Sequence, residues 1–292
     1  MKLDNEIKLD FSDVLIRPKR SELSSRSEVD LIRKITFKYS DYVWEGLPII
    51  CSNMDTVSTI DMYQKISDFK MLMCFHKSID CHHIIQNNCD PNYFMLSTGI
   101  SDDDLISLKL NINKLYQHGI DVKFICIDVA NGYMFKLIEF CKQVREMYPN
   151  KIIVAGNVVT RELVEELIIN GKVDIVKVGI GSGAVCTTRL QTGVGMPQFS
   201  SVMECADAAH GLGGHIISDG GICYPGDISK AFGAGGDFVM MGSMFAGHYE
   251  CAGNLVSENS KTYKLFYGMS SDTAMNKFKG GVAKYRSSEG KT

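Results

Sequence analysis

Residues 123–155 read KFICIDVANGYMFKLIEFCKQVREMYPNKIIVA, and this stretch contains the pattern that decides the fold. An apolar run at 123–129 is followed by a helical pattern at 134–148 and by a second apolar run at 151–155. The helical pattern places Phe135, Ile138, Cys141, Val144 and Met147 on one face. Continuous apolar strands suit a parallel sheet buried on both faces, and parallel strands are joined by crossover helices. The stretch therefore predicts one strand–helix–strand unit.

The same unit recurs along the chain, and nearly every gap between apolar runs has a helical pattern. The runs lie at residues 47–51, 71–75, 93–97, 123–129, 151–155, 174–178, 215–218 and 237–241. Repeated strand–helix units of this number predict an α/β fold, a (β/α)8 TIM barrel, with a doubly wound open sheet as the alternative. We expect a single catalytic domain over residues 1–292, with an N-terminal extension (1–46) and a C-terminal active-site flap (249–292).

Composition and charge exclude several classes of protein. The 292 residues include 31 basic and 34 acidic side chains, and the net charge of −3 argues against nucleic-acid and anionic-membrane partners. No apolar run reaches the roughly 18 residues of a membrane-spanning helix. The first ten residues are charged throughout, unlike a signal peptide. We therefore expect a cytoplasmic protein.

Glycine-rich turns follow the last two predicted strands. Asp219, Gly220 and Gly221 follow the seventh, and Gly242 and Ser243 follow the eighth. Turns at these positions form the usual phosphate site of a barrel, because backbone N–H groups face the anion. The pattern predicts phosphate binding, and two tight turns without a ligand are the alternative.

The sixth predicted strand is followed by GIGSGAVCTTR at residues 179–189. Its glycines do not have the spacing of a dinucleotide-binding loop, but its carbonyl oxygens could bind a monovalent cation. Cys186 could be a nucleophile, since Arg189 and nearby N–H groups would favour the thiolate; a buried structural cysteine is the alternative. The histidines lack the spacing of a zinc hydrolase.

This loop resembles the cysteine loop of the IMP dehydrogenase and GMP reductase family. HIISDGG at 215–221 and FVMMGSMFAG at 238–247 are similar to the family's motifs as well, and the resemblance runs from about Lys8 to Thr292. In two features the sequence resembles the GMP reductases of this family more than the IMP dehydrogenases. Residues 76–92 have no room for the dehydrogenases' regulatory insert, and YGMSSDTAM at 267–275 is similar to the reductase segment.

The resemblance implies an NADPH-dependent oxidoreductase of purine metabolism that converts GMP to IMP and ammonia through a thioimidate on Cys186, with Thr188 and Glu289 relaying protons. The implied substrate-binding residues are Asp219, Gly220, Gly221, Gly242, Ser243, Gly268, Met269, Ser270, Arg286, Ser287, Ser288 and Gly290. The implied cofactor-binding residues are Ser25, Arg26, Lys77, Asp128, Val129, Ala130, Ile180, Gly181, Met269, Tyr285 and Arg286. Potassium would bind at Gly181, Gly183, Cys186 and Arg189. Ser25 and Arg26 would serve a neighbouring subunit of a homotetramer.

Three departures from the family pattern leave two alternatives open. Ala184 replaces a serine that can bond the nucleotide phosphate, and Ser182 replaces a proline. Relatives also continue beyond the position of Thr292, so the family's C-terminal helix is expected to be missing. The alternatives are a compact IMP dehydrogenase and an inactive nucleotide-binding homologue.

Overall fold

The chain forms a closed barrel of eight parallel strands in a computed structural model that describes Leu3, residues 5–279 and residues 288–292. An antiparallel pair, β1 (Arg33–Thr36) and β2 (Val43–Gly46), precedes the barrel. The barrel strands are β3 (Ile49–Cys51), β4 (Leu72–Phe75), β5 (Phe94–Thr98), β6 (Phe124–Asp128), β7 (Ile152–Val158), β8 (Ile175–Val178), β9 (His215–Asp219) and β10 (Phe238–Met241). They follow one another around the barrel in chain order, and β10 pairs with β3 to close it. The predicted fold class is confirmed.

Helices surround this barrel, and a small hairpin follows it. The helices are α1 (Ile60–Ser67), α2 (Cys81–Gln86), α3 (Asp102–Gln117), α4 (Phe135–Met147), α5 (Arg161–Ile169), α6 (Thr188–Thr192), α7 (Gln198–Gly211), α8 (Pro225–Gly233) and α9 (Asp272–Lys279). Short 3₁₀ turns lie at Phe11–Asp13 and Arg26–Glu28, and the hairpin consists of β11 (Leu255–Glu258) and β12 (Lys261–Lys264). None of the helices in the described part of the chain could span a lipid bilayer.

The stretch at 123–155 forms the predicted unit of β6, α4 and β7. In α4, Ile138, Cys141 and Val144 are buried as the spacing predicts, but Phe135 is 86% exposed. The buried face instead includes Leu137 and Phe140. The helical pattern therefore located the helix correctly but placed its first aromatic residue on the wrong face.

Side chains from the N-terminal segment close one end of the barrel. Trp44 on β2 is fully buried and packs against Phe238 of β10, with ring centroids 5.3 Å apart. The Trp44 indole N–H donates a 3.0 Å hydrogen bond to the Asn92 carbonyl, so its polar atom is satisfied. Phe37 belongs to the same core cluster, which fills the barrel interior. This end is closed, and the carboxyl ends of the strands face a cavity.

Candidate active site

A cavity of about 750 Å³ lies at the carboxyl end of the barrel. Strand ends and the segment at 266–278 form its wall. This cavity is lined by most of the site residues that the sequence predicted: Lys77, Asp128, Val129, Ala130, Gly183, Cys186, Asp219, Gly220, Gly221, Gly242, Ser243, Gly268, Met269, Ser270 and Glu289. The location is typical of barrel enzymes, whose catalytic groups follow the strand ends.

A line of three hydrogen-bonding groups begins at the candidate nucleophile. The half-buried Cys186 thiol donates to the Thr188 hydroxyl at 3.2 Å. That hydroxyl donates in turn to the Glu289 carboxylate at 2.8 Å. A proton on the sulfur therefore has a continuous path to a carboxylate.

Backbone hydrogen bonds hold Glu289 in this position. The Thr187 N–H donates to the Glu289 carbonyl at 2.8 Å, and the Glu289 N–H donates to the Ser270 carbonyl at 3.0 Å. Gly290 bridges both Cys186 and Ser271 in strand-like pairing. The short segment at 288–292 is thus clamped between the cysteine loop and residues 268–271. Ser288 contributes by donating its hydroxyl to the carbonyls of Ser270 and Gly290, at 3.3 and 3.2 Å.

The cysteine loop also packs directly on the turn after β9. The Ser182 hydroxyl donates to the Asp219 carbonyl at 2.7 Å. Gly220 has a positive φ of 79°, and a Cβ at this position would lie 2.8 Å from the Ser182 oxygen. Glycine is therefore required here by both conformation and space. Ala184, on the same loop, lines the cavity and is exposed.

Arg189 does not contact the thiol in the way that the sequence suggested. Its guanidinium donates to the Asp10 carboxylate at 2.9 Å and to the Met196 carbonyl at 2.5 Å. Asp10 also accepts from the Gln198 N–H at 2.5 Å. The arginine thus ties the cysteine loop to the N-terminal segment, and the hydrogen-bonding partner of the Cys186 thiol is Thr188.

A buried lysine, Lys177, lines the cavity, and the sequence argument missed it. The Lys177 ammonium, on β8, lies 2.7 Å from Asp128 Oδ1 and 2.9 Å from Asp219 Oδ2. Asn53 donates to the other oxygen of Asp128 at 2.8 Å, and Asn157 donates to Asp219 at 2.8 Å. Lysine inside an otherwise apolar strand was the available signal, since lysine is seldom buried without a partner.

These charges stabilise one another. Burial alone raises the pKa of Asp128, but the Lys177 ammonium and the Asn53 amide outweigh it and hold that pKa below its usual value. Burial alone lowers the pKa of Lys177, but the Asp128 and Asp219 carboxylates outweigh it and raise that pKa well above its usual value. Lys177 is therefore a cation, and Asp128 an anion, at neutral pH.

Lys77, the lysine expected in the cofactor site, lies at the rim of the cavity. Lys77 donates to Asp104 at 3.0 Å, and its side chain is 49% exposed. Asp104 also accepts from the Ser101 N–H and hydroxyl, at 3.0 and 2.7 Å, where it caps α3. Lys77 is thus held over the cavity by a residue that is itself fixed at a helix start.

A second set of contacts ties α9 to the end of β3. Asp55 accepts from the Tyr267 hydroxyl at 2.6 Å and from the Lys277 ammonium at 2.7 Å. The His76 and Phe278 rings pack at a centroid distance of 5.0 Å, and burial lowers the pKa of His76. Since Phe278 lines the cavity, these contacts position part of its wall.

The remaining expected residues lie elsewhere. Ser25 and Arg26 are exposed at the start of the second 3₁₀ turn, Arg26–Glu28, and do not line the cavity. Ile180 and Gly181 lie in the cysteine loop behind its cavity-facing part. Tyr285, Arg286 and Ser287 lie outside the described residues.

The predicted potassium ligands, Gly181, Gly183, Cys186 and Arg189, all lie on the cysteine loop. Gly181 has a φ of 74°, and a Cβ there would lie 2.5 Å from Arg189 Cγ, so only glycine fits. Carbonyl oxygens are the ligands that such a glycine loop offers. The Arg189 side chain is a cation engaged with Asp10, so only its carbonyl is suited to a metal.

Known proteins are similar in sequence to this chain along its whole length. A sequence model described as the IMP dehydrogenase / GMP reductase domain matches residues 94–292. GMP reductase 2 of Bos taurus is 54% identical, with 99% of this chain and 83% of that protein covered. GMP reductase 1 of Rattus norvegicus is 55% identical, with 100% and 84% covered. GMP reductase of Caenorhabditis elegans is 54% identical, with 100% and 81% covered.

Proposed function

The chain belongs to the IMP dehydrogenase / GMP reductase family, and we propose that it reduces GMP to IMP and ammonia with NADPH. The balanced reaction is GMP, NADPH and a proton giving IMP, ammonia and NADP+. Relatives named GMP reductase at 53–55% identity support this activity over that of an IMP dehydrogenase. The observation that carries the proposal is the line from Cys186 through Thr188 to Glu289 at the cavity.

In the proposed mechanism, the Cys186 sulfur attacks C2 of the guanine ring. The thiol proton is transferred through the Thr188 hydroxyl, which already accepts from the sulfur and donates to Glu289. The amino group on C2 is a poor leaving group and must be protonated as it departs. Such proton transfer typically raises the rate by roughly 10²–10⁴-fold. Glu289 and Thr188 can return the proton to the amine, which leaves as ammonia and gives the thioimidate.

The second half of the reaction requires hydride at C2, which NADPH supplies when bound. Asp128, Val129, Ala130 and Lys77 line the cavity and are the residues that would hold this cofactor. The electron pair of the carbon–sulfur bond then returns to Cys186 as IMP forms. The Thr188 hydroxyl is placed to stabilise that thiolate by a hydrogen bond.

The GMP subsite is proposed at the glycine turns after β9 and β10. Gly220, Gly221, Gly242 and Ser243 line the cavity, as phosphate-binding turns of a barrel do. Asp219 offers a carboxylate for ribose hydroxyls. Bound potassium would brace the cysteine loop through the carbonyls of Gly181, Gly183 and Cys186.

One assay tests the proposal against both alternatives. The protein is incubated with GMP and NADPH, and separately with IMP and NAD+, while the absorbance of the reduced cofactor is followed. Consumption of NADPH with GMP is expected. Formation of NADH from IMP would instead support a dehydrogenase, and binding of GMP without either reaction would support an inactive homologue. The homotetramer, the role of Ser25 and Arg26 in it, the domain boundaries and the cytoplasmic location remain predictions.

A further inference from the structure

Lys177 joins the two halves of the proposed site. Its side chain is 3% exposed, and its ammonium contacts Asp128 at the end of β6 and Asp219 at the end of β9. Asp128 belongs to the proposed NADPH subsite, and Asp219 to the proposed GMP subsite. The contact of one ammonium with both carboxylates therefore fixes the distance between groups from two different subsites.

We propose that Lys177 is a positioning residue that holds the NADPH and GMP subsites in register by binding Asp128 and Asp219 at once. The inference rests on the proposed function, because it takes one carboxylate for each ligand. Hydride transfer requires the donor and acceptor carbons to be aligned closely, so a fixed distance between the two subsites serves the chemistry directly. Without the ammonium, two carboxylates would face each other in a partly buried site and repel.

The surroundings of the ammonium favour this role. Met240 Sδ lies 3.8 Å from it. The Asn53 amide binds the second oxygen of Asp128, and the Asn157 amide binds the same Asp219 oxygen as the ammonium does. The Asn157 Oδ1 atom is buried and has no hydrogen-bond partner among the described residues. Three further titratable groups interact electrostatically with Lys177 or Asp128. They are Cys126 on β6, Cys74 on β4 and His76 after β4.

The test uses Lys177→Met, which keeps much of the length of the side chain and removes its charge. Arg145→Met is the matched control, because Arg145 forms a buried ion pair of 2.5 Å with Asp174 at the other end of β8. Dissociation constants for GMP and for NADP+ are measured separately by calorimetry, and melting temperatures by circular dichroism. Lys177→Met is expected to weaken both ligands by roughly tenfold to hundredfold, the scale of one hydrogen bond to a charged group. Arg145→Met should lower only the melting temperature.

A second readout distinguishes positioning from simple support of the fold. In Lys177→Met the pKa of Asp128 should rise, since its neighbouring cation is gone and Asp219 is close. Protonation of Asp128 at lower pH then removes its repulsion with Asp219, so the affinities for NADP+ and for GMP should depend more steeply on pH than in the wild type and recover as the pH falls. A role in stability alone would not change the shape of that profile.

Three results would overturn the inference. They are a lower melting temperature with unchanged affinities, as for Arg145→Met, the loss of one ligand only, and a pH profile identical to that of the wild type. If Lys177→Met does not fold, Lys177→Arg takes its place: it keeps the charge with a longer reach, so both affinities should weaken in a folded protein. Unchanged affinities in that variant would also overturn the inference.

A structural measurement separates this inference from the proposed function. Wild-type protein without turnover would contradict the proposed function alone. The crystal structure of ligand-free Lys177→Met, or of Lys177→Arg, tests the positioning role without any ligand. The Asp128 and Asp219 carboxylates are expected to move relative to their wild-type separation, and unmoved carboxylates would contradict the role.

Discussion

The Thr188 hydroxyl donates a 2.8 Å hydrogen bond to the carboxylate of Glu289, which lies 101 residues further along the chain. The same hydroxyl accepts from the Cys186 thiol, so it stands between a sulfur atom and a carboxylate. A threonine in this place can pass a proton in either direction while remaining neutral. Glu289 is thus positioned to act on proton transfer rather than on hydride transfer.

Glu289→Gln should therefore slow the two halves of the reaction unequally. The amide keeps the shape of the side chain but cannot take up or release the proton, so NADPH oxidation with GMP should fall on the order of a hundredfold or more. The reverse hydride step, from IMP to NADP+, should be affected far less. Rapid-mixing absorbance measurements of the two directions give both rates.

Glu258→Gln is the control for this variant, because Glu258 is an exposed acid in the same part of the chain, on β11. Both of its rates should stay close to the wild-type values. Equal slowing of both directions in Glu289→Gln would contradict a role in proton transfer and would indicate that Glu289 acts by holding the 288–292 segment in place.

Cys186→Ser should remove turnover by several orders of magnitude, since a serine hydroxyl is a far weaker nucleophile than a thiolate. GMP affinity, measured by calorimetry, should stay within a few-fold because the glycine turns are intact. Cys223→Ser is the control, because the Cys223 side chain is exposed and does not line the cavity. Turnover near the wild-type rate in Cys186→Ser would rule out the covalent mechanism.

Ala184→Ser should tighten GMP binding. Ala184 is exposed at the cavity on the cysteine loop, so an added hydroxyl has room to reach the phosphate. A hydrogen bond to a charged group contributes about 1.5–3 kcal/mol, which corresponds to a roughly tenfold to hundredfold lower dissociation constant. Titration calorimetry with GMP measures it. Unchanged or weaker affinity would place this loop position away from the phosphate.

The fold could be predicted from the sequence because all eight barrel strands are short apolar runs followed by polar residues or glycine. Burial on both faces imposes that pattern on each strand, and it needs no knowledge of distant contacts. The face of α4 was less predictable. Phe135 has the spacing of a buried residue, yet it begins the helix and is 86% exposed, since burial there depends on what packs nearby.

The site was predictable only where the groups follow strand ends or match a familiar motif. Asp219 and the glycine turns are of this kind. Lys177 lies inside a strand, and its partners Asp128 and Asp219 become visible only when the closed barrel brings the ends of β6 and β9 to it. Arg189 follows Cys186 by three residues in the sequence but binds Asp10 instead, because the α6 turn directs its side chain to the N-terminal segment.

The two contacts of Asp55 should stabilise α9 unequally. Lys277 is 55% exposed, and an exposed pair contributes about 1 kcal/mol or less, so Lys277→Met should speed amide exchange in α9 by about fivefold at most. Tyr267 is 7% exposed and donates to a carboxylate, so Tyr267→Phe should speed it by roughly tenfold to hundredfold. Hydrogen-exchange mass spectrometry measures both.

Lys261→Met, on the exposed hairpin strand β12, is the control for loss of a lysine and should leave α9 exchange unchanged. A larger effect from Lys277→Met than from Tyr267→Phe would contradict the ranking by burial. It would mean that the ammonium rather than the buried hydroxyl holds α9 against the end of β3.

The pair of His215 and Asp237, at the end of the barrel opposite the cavity, should make stability depend on pH. The two side chains lie 3.1 Å apart, and the other ring nitrogen of His215 lies 2.7 Å from the Thr36 carbonyl. Burial alone lowers the pKa of His215, but Asp237 and Thr36 outweigh it and raise that pKa above its usual value. The stabilisation from His215 is therefore complete below about pH 6.5, the pKa of a histidine in the unfolded chain, and is lost as the pH rises through the raised pKa of the folded protein.

His215→Gln should cost more unfolding free energy at about pH 6 than at about pH 8, as measured by urea denaturation. His118→Gln, on the exposed end of α3, is the control for replacing a histidine. A cost of His215→Gln that is the same at both pH values would show that the ring acts by packing alone.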